Sequence, residues 1–487
     1  MSLARALAFN TGIQVAGKIV STVLGVLVVG LMTRHLGQEG FGMYSTANAF
    51  LQFFAIMLDL GLNVMVVQLL GEHAGDKEYE DRAVSATFTL RTLSALVFLG
   101  IAPIIALAFP YPWELKVAIF ALWASFFTTA LNQIIIGVQQ RHLKMGVVAA
   151  GEIVGRLVLL IGVLAAGFLG WGLVPIVLIV SIGSTVNFFI NFFIARRYAS
   201  FRWNIDFPFW KTLLGRSWPI GLSILFNLIY FKADTLILSL VRPQNEVGIY
   251  GAAYRVLEIL VTVPFMYAGV LLPVIAKAWV TGQRERFGKL LGHSFDAMTL
   301  LAAPLVAGTF VVATHAMILV AGEDFAESGD ILRILILAVG MIFFGTISSY
   351  AIVALDAQRK MLWIYFGTAV LALIGYALFI PTYGIWAAAW LTVFSEFCVA
   401  FGATAMSLKL SGTRWNPIVS LKALVAAAGM GLVIWPLRNM FLLIPVVLGA
   451  VVYVGLVFIT GAVSKATLKE LLPTRHPDAV PPEPPLA

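Results

Sequence analysis

The sequence is poor in charge. Asp, Glu, Lys and Arg make up only 11% of its 487 residues, whereas a soluble globular domain has about 25%. Hydrophobic residues account for 60%, and the mean hydropathy is +0.95. Such a chain cannot cover its surface against water, so a soluble enzyme, a disordered protein and a nucleic-acid-binding protein are excluded. The small excess of Lys and Arg includes no dense basic segment of the kind that contacts nucleic acid.

The sequence also lacks the usual signatures of redox, metal and nucleotide chemistry. Its single cysteine, Cys398, cannot form an intramolecular disulfide. The six histidines are scattered without metal-ligand spacing. Residues 12–19 fit the GxxxxGK pattern, but Ile19 replaces the metal-binding Ser or Thr and no strand precedes it. We therefore expect no metal site and no nucleotide or other cofactor.

Long hydrophobic runs are what the sequence does contain. A membrane-spanning helix needs roughly 20 mostly apolar residues. The first run contains Asn10, Gln14 and Lys18, and it is too long and too polar for a cleaved signal peptide. The sequence predicts an all-α, polytopic membrane protein with about 14 transmembrane helices. The runs are 8–32, 41–68, 84–109, 114–138, 146–168, 171–195, 218–241, 248–275, 294–320, 331–355, 362–380, 384–407, 419–437 and 440–461.

The distribution of Lys and Arg among the loops predicts the orientation. With a cytoplasmic N-terminus, 22 of these bases fall on the cytoplasmic side and four fall outside. The four are Arg34, Lys116, Arg242 and Arg438. Because basic loops stay in the cytoplasm, we expect both termini to be cytoplasmic. We also expect the protein to lie in the plasma (inner) membrane.

An internal repeat is visible at an offset of 206 residues. Residues 40–47 align with 246–253, and the matched pairs are Gly42/Gly248, Tyr44/Tyr250 and Ala47/Ala253. Chance is the alternative, since small residues and Tyr are common at helix starts, but residues 141–145 and 358–361 show a second similarity.

Duplication of a six-helix unit would place two lobes around a central cleft, related by an axis along the membrane normal. The predicted divisions are an N-terminal lobe (1–200), a C-terminal lobe (201–410), two additional transmembrane helices (411–462) and a disordered, Pro-rich cytoplasmic tail (463–487).

Twelve ionisable residues fall inside the hydrophobic runs. At ~2.5–3.5 kcal/mol each, their exposure to lipid would cost on the order of 30–40 kcal/mol, so most must face protein or water. They are Lys18, Asp59, Arg91, Glu152, Arg156, Lys232, Asp234, Arg255, Glu258, Asp296, Arg333 and Glu396.

Helical spacing puts many of these residues on polar faces. The first, second, seventh and eighth runs each carry one such face, which predicts an aqueous cleft lined by these four helices. The faces are Asn10, Gln14 and Lys18; Ser45, Asn48, Gln52 and Asp59; Ser223, Asn227, Tyr230 and Asp234; and Arg255, Glu258 and Thr262.

The bases within the runs are the candidates for binding an anion. Glu152/Arg156 and Arg255/Glu258 have the spacing of internal ion pairs, whereas Lys18, Arg91 and Lys232 have no partner in their own helices. Unpaired bases in a cleft suit a phosphate or another acidic headgroup. The predicted substrate-binding residues are Lys18, Arg91, Arg156, Lys232, Arg255, Asn10, Gln14, Asn48, Asn227 and Tyr230.

Several segments resemble a known family. The sequence resembles the polysaccharide repeat-unit (O-antigen type) flippases, which belong to the multidrug/oligosaccharidyl-lipid/polysaccharide exporter superfamily. The similar segments are residues 33–44 (TRHLGQEGFGMY), 58–62, 234–238, 247–255 and 272–274. The resemblance implies two six-helix lobes, two C-terminal helices and alternating access. It also implies export of polyprenyl-diphosphate-linked glycans to the outer leaflet, for use by polysaccharide polymerase machinery.

Within that family, basic residues of the central cavity contact the diphosphate and sugars, and coupling to H⁺ or Na⁺ is inferred. Here Asp59, Asp234, Glu258 and Glu396 could carry the ion. Three alternatives stay open. A multidrug exporter should show unpaired acids in the cleft, a lipid II flippase also handles a diphosphate, and a membrane glycan polymerase would need larger outer loops.

Overall fold

The computed structural model describes residues 3–59, 61–73 and 75–463, and all regular structure in these ranges is helical. Two short 3₁₀ helices, Glu323–Phe325 and Trp435–Leu437, accompany the α-helices. The α-helices are α1 Leu3–Asp59, α2 Leu62–Glu72, α3 Lys77–Ala108, α4 Trp113–Arg141, α5 Met145–Leu169, α6 Leu173–Ala195, α7 Phe207–Val241, α8 Gln244–Leu260, α9 Thr262–Val280, α10 Arg284–Ala321, α11 Ser328–Ala354, α12 Gln358–Ser411, α13 Ile418–Ile434 and α14 Leu443–Ile459.

The helices account for the fourteen predicted spans. Eleven described stretches are long and apolar enough to cross a membrane. Two of these, in α1 and α12, contain a non-helical glycine, Gly37 (φ 64°) and Gly384 (φ 55°). An unbroken α1 of 57 residues would extend roughly 85 Å, far more than the ~30 Å hydrocarbon core. Each kinked helix therefore supplies two spans, and the shorter α14 completes the fourteen.

Loops predicted to lie on the same side of the membrane do meet at the same end of the bundle. At the predicted outer end, the Arg34 guanidinium donates hydrogen bonds to the carbonyls of Leu319 (2.6 Å) and Val320 (2.8 Å). At the predicted cytoplasmic end, Arg82 Nε lies 2.6 Å from Asp206 Oδ2, and this hydrogen bond lowers the pKa of the Asp206 carboxyl. The loop-charge grouping thus agrees with the packing of the helices.

The repeat is visible as a reciprocal contact between α1 and α8. A Cβ atom on Gly42 would lie 1.8 Å from the Gln244 carbonyl oxygen, and one on Gly248 would lie 1.9 Å from the Gln38 carbonyl oxygen. Gln38 and Gln244 are separated by the same 206 residues as the two glycines. The same backbone contact therefore occurs twice, which supports duplication over chance.

Some predictions fall on parts of the chain that the structure does not describe. The predicted tail lies outside the described residues beyond Val463, as do the side chains of Asn10 and Asp59.

Candidate functional site

A polar cavity of about 380 Å³, here called the N-cavity, lies among α1, α4, α5 and α6. Its lining residues on α4 and α6 follow the spacing i, i+3, i+4 and i+7, which puts them on one face of each helix. They are Thr129, Asn132, Gln133 and Ile136 on α4, and Val180, Gly183, Ser184 and Asn187 on α6. Lys18 and Tyr44 of α1 and Val148, Glu152, Gly155, Arg156 and Leu159 of α5 complete the lining.

The N-cavity contains a cluster of two bases and one acid. Lys18 Nζ lies 3.1 Å from Glu152 Oε1, and Ser21 Oγ donates to the same oxygen at 2.7 Å. Arg156 lines the cavity and makes no direct ion-pair contact within the described part of the chain, although its charge also acts on Glu152. The prediction that Lys18 is unpaired was therefore wrong, because its partner lies on another helix. Glu152 pairs with Lys18 rather than with Arg156, and the cluster has an excess of one positive charge.

A second cluster of two bases and one acid lies on α7 and α8. Lys232 donates a hydrogen bond to Glu258, and Arg255 NH1 lies 2.7 Å from the other carboxylate oxygen. The Arg255/Glu258 ion pair is confirmed, whereas the prediction that Lys232 is unpaired was wrong because Glu258 lies on the next helix. The Lys232 ammonium also lies 4.4 Å from the centre of the Tyr254 ring. These three residues too have an excess of one positive charge, although the Asp234 carboxylate, which makes no direct contact with Lys232 in the described chain, also acts on it electrostatically.

A second cavity of about 230 Å³, the C-cavity, contains Glu396. Glu396 is only 5% exposed. Within the described part of the chain its carboxylate forms no hydrogen bond or ion pair. Asn227, which donates to the Tyr230 hydroxyl, lines the same cavity. Tyr230 lines this cavity as well, and the remaining lining residues are Phe231, Val261, Phe265, Ile342, Gly345, Thr346, Ser349, Tyr350, Tyr365 and Val399.

Asp234 differs from Glu396 in having hydrogen bonds to both carboxylate oxygens. The hydroxyls of Tyr250 and Thr392 donate to one oxygen, and the backbone N–H of Thr235 donates to the other. The residue is fully buried and is not part of the C-cavity lining. Its carboxylate is stabilised by neighbours rather than open to a ligand.

Three other predicted residues lie away from both cavities. Arg91 is 3% exposed, and its guanidinium donates to the carbonyl oxygens of Ala130 (3.2 Å) and Leu58. Because it is buried and donates to backbone carbonyls, it lies inside the N-terminal half and not on a cleft surface. Gln14 and Asn48 line neither cavity. The predicted cleft residues are thus divided between two cavities and the Lys232 cluster.

Sequence reasoning missed the neutral polar side of the N-cavity. Its members on α4 and α6 are Thr129, Asn132, Gln133, Ser184 and Asn187. The helical spacing of these residues is visible in the runs 114–138 and 171–195. They are neutral, however, and the cleft prediction was based on ionisable residues and on helices with charged faces.

Comparisons with known proteins agree with this architecture. The model of the family described as "Polysaccharide biosynthesis protein" matches residues 7–279, and that described as MatE matches residues 219–378. A search of curated proteins found no match.

Solved structures with the same fold share little sequence identity with the chain. The lipid II flippase MurJ, in an inward closed conformation, is 16% identical with a TM-score of 0.73, covering 92% of this chain and 98% of that one. An inward-facing multidrug resistance MATE transporter of the MOP superfamily is 15% identical with a TM-score of 0.67, covering 82% and 98%. A MOP superfamily transporter from Pyrococcus furiosus, described as having reverse polarity of its binding pocket, is 15% identical with a TM-score of 0.62, covering 84% and 96%.

These three structures are described as a flippase and as transporters, not as enzymes. The first family model covers more than half of the 487 residues. The chain therefore belongs to the polysaccharide biosynthesis protein family and shares the multi-pass membrane fold of these three structures.

Proposed function

We propose that the protein moves polyprenyl-diphosphate-linked oligosaccharide from the cytoplasmic to the outer leaflet of the plasma (inner) membrane. The observation that carries this proposal is the excess of bases in the two charge clusters. Lys18 and Arg156 accompany one acid, Glu152, and Lys232 and Arg255 accompany one acid, Glu258.

An excess of positive charge at membrane depth needs a counter-ion. Each uncompensated base costs at least ~2.5 kcal/mol in a membrane interior. A diphosphate diester carries about two negative charges, and its oxygens accept charge-assisted hydrogen bonds from Lys and Arg. Among the residues in direct contact, each cluster has one base more than it has acids, so both clusters can offer Lys or Arg to the diphosphate oxygens. The sugars need transport because their polar groups would lose water in the hydrocarbon core.

Alternating access requires that the outer end open. In this conformation the α1–α8 contact at Gly42 and Gly248 and the hydrogen bonds of Arg34 join the helices at the predicted outer end. Release of substrate to the outer leaflet would break these contacts. The product would then be available to a polysaccharide polymerase.

The direction of transport needs a source of free energy, and we infer coupling to H⁺ or Na⁺. The membrane potential supplies ~2.3 kcal/mol per charge per 100 mV. Of the candidate acids, Glu258 neutralises two bases and Asp234 is satisfied by hydroxyls and a backbone N–H. Glu396 faces the C-cavity without either kind of partner in the described chain. A buried carboxylate of this kind needs a proton or a cation, so Glu396 is the best candidate.

Two other substrates each have one observation in their favour. The MurJ fold similarity favours lipid II, whose headgroup is also a diphosphate. The acidic C-cavity around Glu396 favours an organic cation. The excess of bases in the two clusters is the reason that we place the diphosphate-linked glycan first.

Reconstituted liposomes distinguish these substrates. The full-length protein is tested with three fluorescent probes: an undecaprenyl-diphosphate-linked oligosaccharide, lipid II and ethidium. We expect transfer of the oligosaccharide probe between leaflets, and slower transfer by a Lys18→Gln, Lys232→Gln double variant. Transfer of ethidium alone would overturn the proposal in favour of a cation exporter, and transfer of lipid II alone would assign the other flippase activity.

A further inference from the structure

The N-cavity has two chemically different sides. One side carries the ionic cluster of Lys18, Glu152 and Arg156. The other side, here called the amide wall, carries only neutral polar groups and consists of Thr129, Asn132, Gln133, Ser184 and Asn187. A diphosphate needs only the first side. The amide wall must therefore contact a different part of the substrate, if it contacts the substrate at all.

The amide wall has unused hydrogen-bonding capacity. Asn132 is 6% exposed, and its Oδ1 has no hydrogen-bond partner in the described part of the structure. Asn187 Oδ1 accepts from Asn191 Nδ2 at 2.8 Å, whereas the Asn187 NH₂ group donates to no acceptor there. Gln133 forms no hydrogen bond in the same ranges. Buried polar groups are nearly always paired, so the unpaired Asn132 Oδ1 needs explanation, whereas Gln133 and Asn187 are only partly buried. Together the three carboxamides offer hydrogen bonds to a polar ligand in the cavity.

The type of hydrogen-bonding group identifies the ligand class. A carboxamide both donates and accepts hydrogen bonds. A sugar hydroxyl or acetamido group also does both, and it can pair with Asn132 whichever way its amide is turned. Phosphate oxygens only accept, so they could use the NH₂ groups but not the carboxamide oxygens. An uncharged sugar therefore fits this side better than a second phosphate does.

The size of the cavity limits how much sugar it holds. At ~30 Å³ for each water-sized group, about 380 Å³ has room for roughly a dozen such groups. Covalently bonded atoms pack more closely than separate water molecules, so this volume suffices for a diphosphate and one monosaccharide but not for a longer glycan. If the diphosphate lies at Lys18 and Arg156, the sugar within the same cavity must be the one attached to the diphosphate.

We propose that the amide wall is a subsite for one uncharged sugar, the sugar linked directly to the diphosphate, and that Asn132 and Asn187 determine its identity. This inference rests on the proposed function. It adds that the glycan is recognised at its lipid-linked end, whereas sugars farther along the chain lie outside the N-cavity.

The test compares diphosphate lipids with and without a sugar. Full-length protein in lipid nanodiscs is titrated with the methyl diester of farnesyl diphosphate, which carries the same charge as a sugar conjugate, and with farnesyl diphosphate linked to glucose, galactose, N-acetylglucosamine or N-acetylgalactosamine. We expect at least one sugar conjugate to bind about three- to tenfold more tightly than the methyl diester for each hydrogen bond gained. Asn132→Leu should remove that preference and leave the affinity for the methyl diester unchanged.

Matched variants separate the two sides of the cavity. Lys18→Gln should weaken all five ligands alike, and Gln140→Leu, an amide change at the exposed end of α4, should alter none. Thermal unfolding checks folding, and Asn187→Ala replaces Asn132→Leu if the latter unfolds. If all five ligands bind equally, or if both Asn variants keep the preference, the sugar subsite is wrong while the proposed function stands. If no diphosphate lipid binds, both proposals fail.

Discussion

The guanidinium carbon of Arg255 lies 5.8 Å from the centre of the Tyr44 ring. Tyr44 lines the N-cavity, and Arg255 shares the Glu258 carboxylate with Lys232. One aromatic ring therefore connects the N-cavity with the second charge cluster. The two clusters are linked through packed side chains rather than acting as isolated sites.

Loss of the Tyr44 ring should weaken this connection. A cation–π contact contributes roughly 0.5–2 kcal/mol, so Tyr44→Leu should slow transfer of the oligosaccharide probe several-fold, whereas Tyr44→Phe keeps the ring and should remain close to wild type. The measurement is leaflet transfer in reconstituted liposomes. Equal rates for the two variants would show that the ring contact has no part in transport.

Removal of one base from each cluster should weaken binding of the diphosphate. Hydrogen bonds to charged groups contribute about 1.5–3 kcal/mol, so Lys18→Gln or Lys232→Gln should reduce the affinity for farnesyl diphosphate on the order of tenfold to a hundredfold. Isothermal titration of the nanodisc-embedded protein measures the change.

Lys116→Gln provides a control for those substitutions. Lys116 lies at the predicted outer end and donates a hydrogen bond to the Leu107 carbonyl oxygen. It belongs to neither cluster, so its variant should bind like the wild type. Wild-type affinity in both cluster variants would contradict the assignment of an anion site.

The sequence predicted the architecture better than the side-chain contacts. Apolar runs and a 206-residue offset identified the spans and the Gly42/Gly248 pair, because both signals are local in the chain or repeated within it. The Lys18–Glu152 contact joins residues 134 positions apart, and helical spacing cannot show which helices become neighbours. Asn132 and Asn187 were missed for the same reason, since each is an ordinary polar residue until α4 and α6 face one cavity.

Glu396 should be required for coupling but not for binding. Glu396→Gln keeps the shape and size of the side chain and prevents it from changing charge. We expect the variant to bind farnesyl diphosphate normally but to lose acceleration of oligosaccharide transfer by an imposed H⁺ or Na⁺ gradient. Parallel experiments with each gradient alone identify the ion.

Asp234→Asn is the informative comparison. Asp234 accepts hydrogen bonds from Tyr250, Thr392 and Thr235, and loss of its charge should weaken them. This variant should lower the unfolding temperature, whereas Glu396→Gln should not. An imposed gradient that still accelerates oligosaccharide transfer in Glu396→Gln, but not in a folded Asp234→Asn protein, would show that Asp234, and not Glu396, is the coupling residue.

A methyl group at the α1–α8 crossing should open the predicted outer end. At Gly42 or Gly248 a Cβ atom would lie within 2 Å of a backbone carbonyl oxygen, which neither helix can accommodate without moving. In the present conformation Thr46 Oγ1 lies 2.8 Å from Gln244 Oε1, so a Cys pair at these positions reports the separation of the helices. In a Cys398→Ser background, Gly42→Ala should markedly reduce cross-linking of that pair. Gly100→Ala is the control, because its Cβ atom would meet nothing within 4 Å, and it should leave the cross-linking unchanged. Undiminished cross-linking in Gly42→Ala would show that the α1–α8 crossing does not hold the outer end closed.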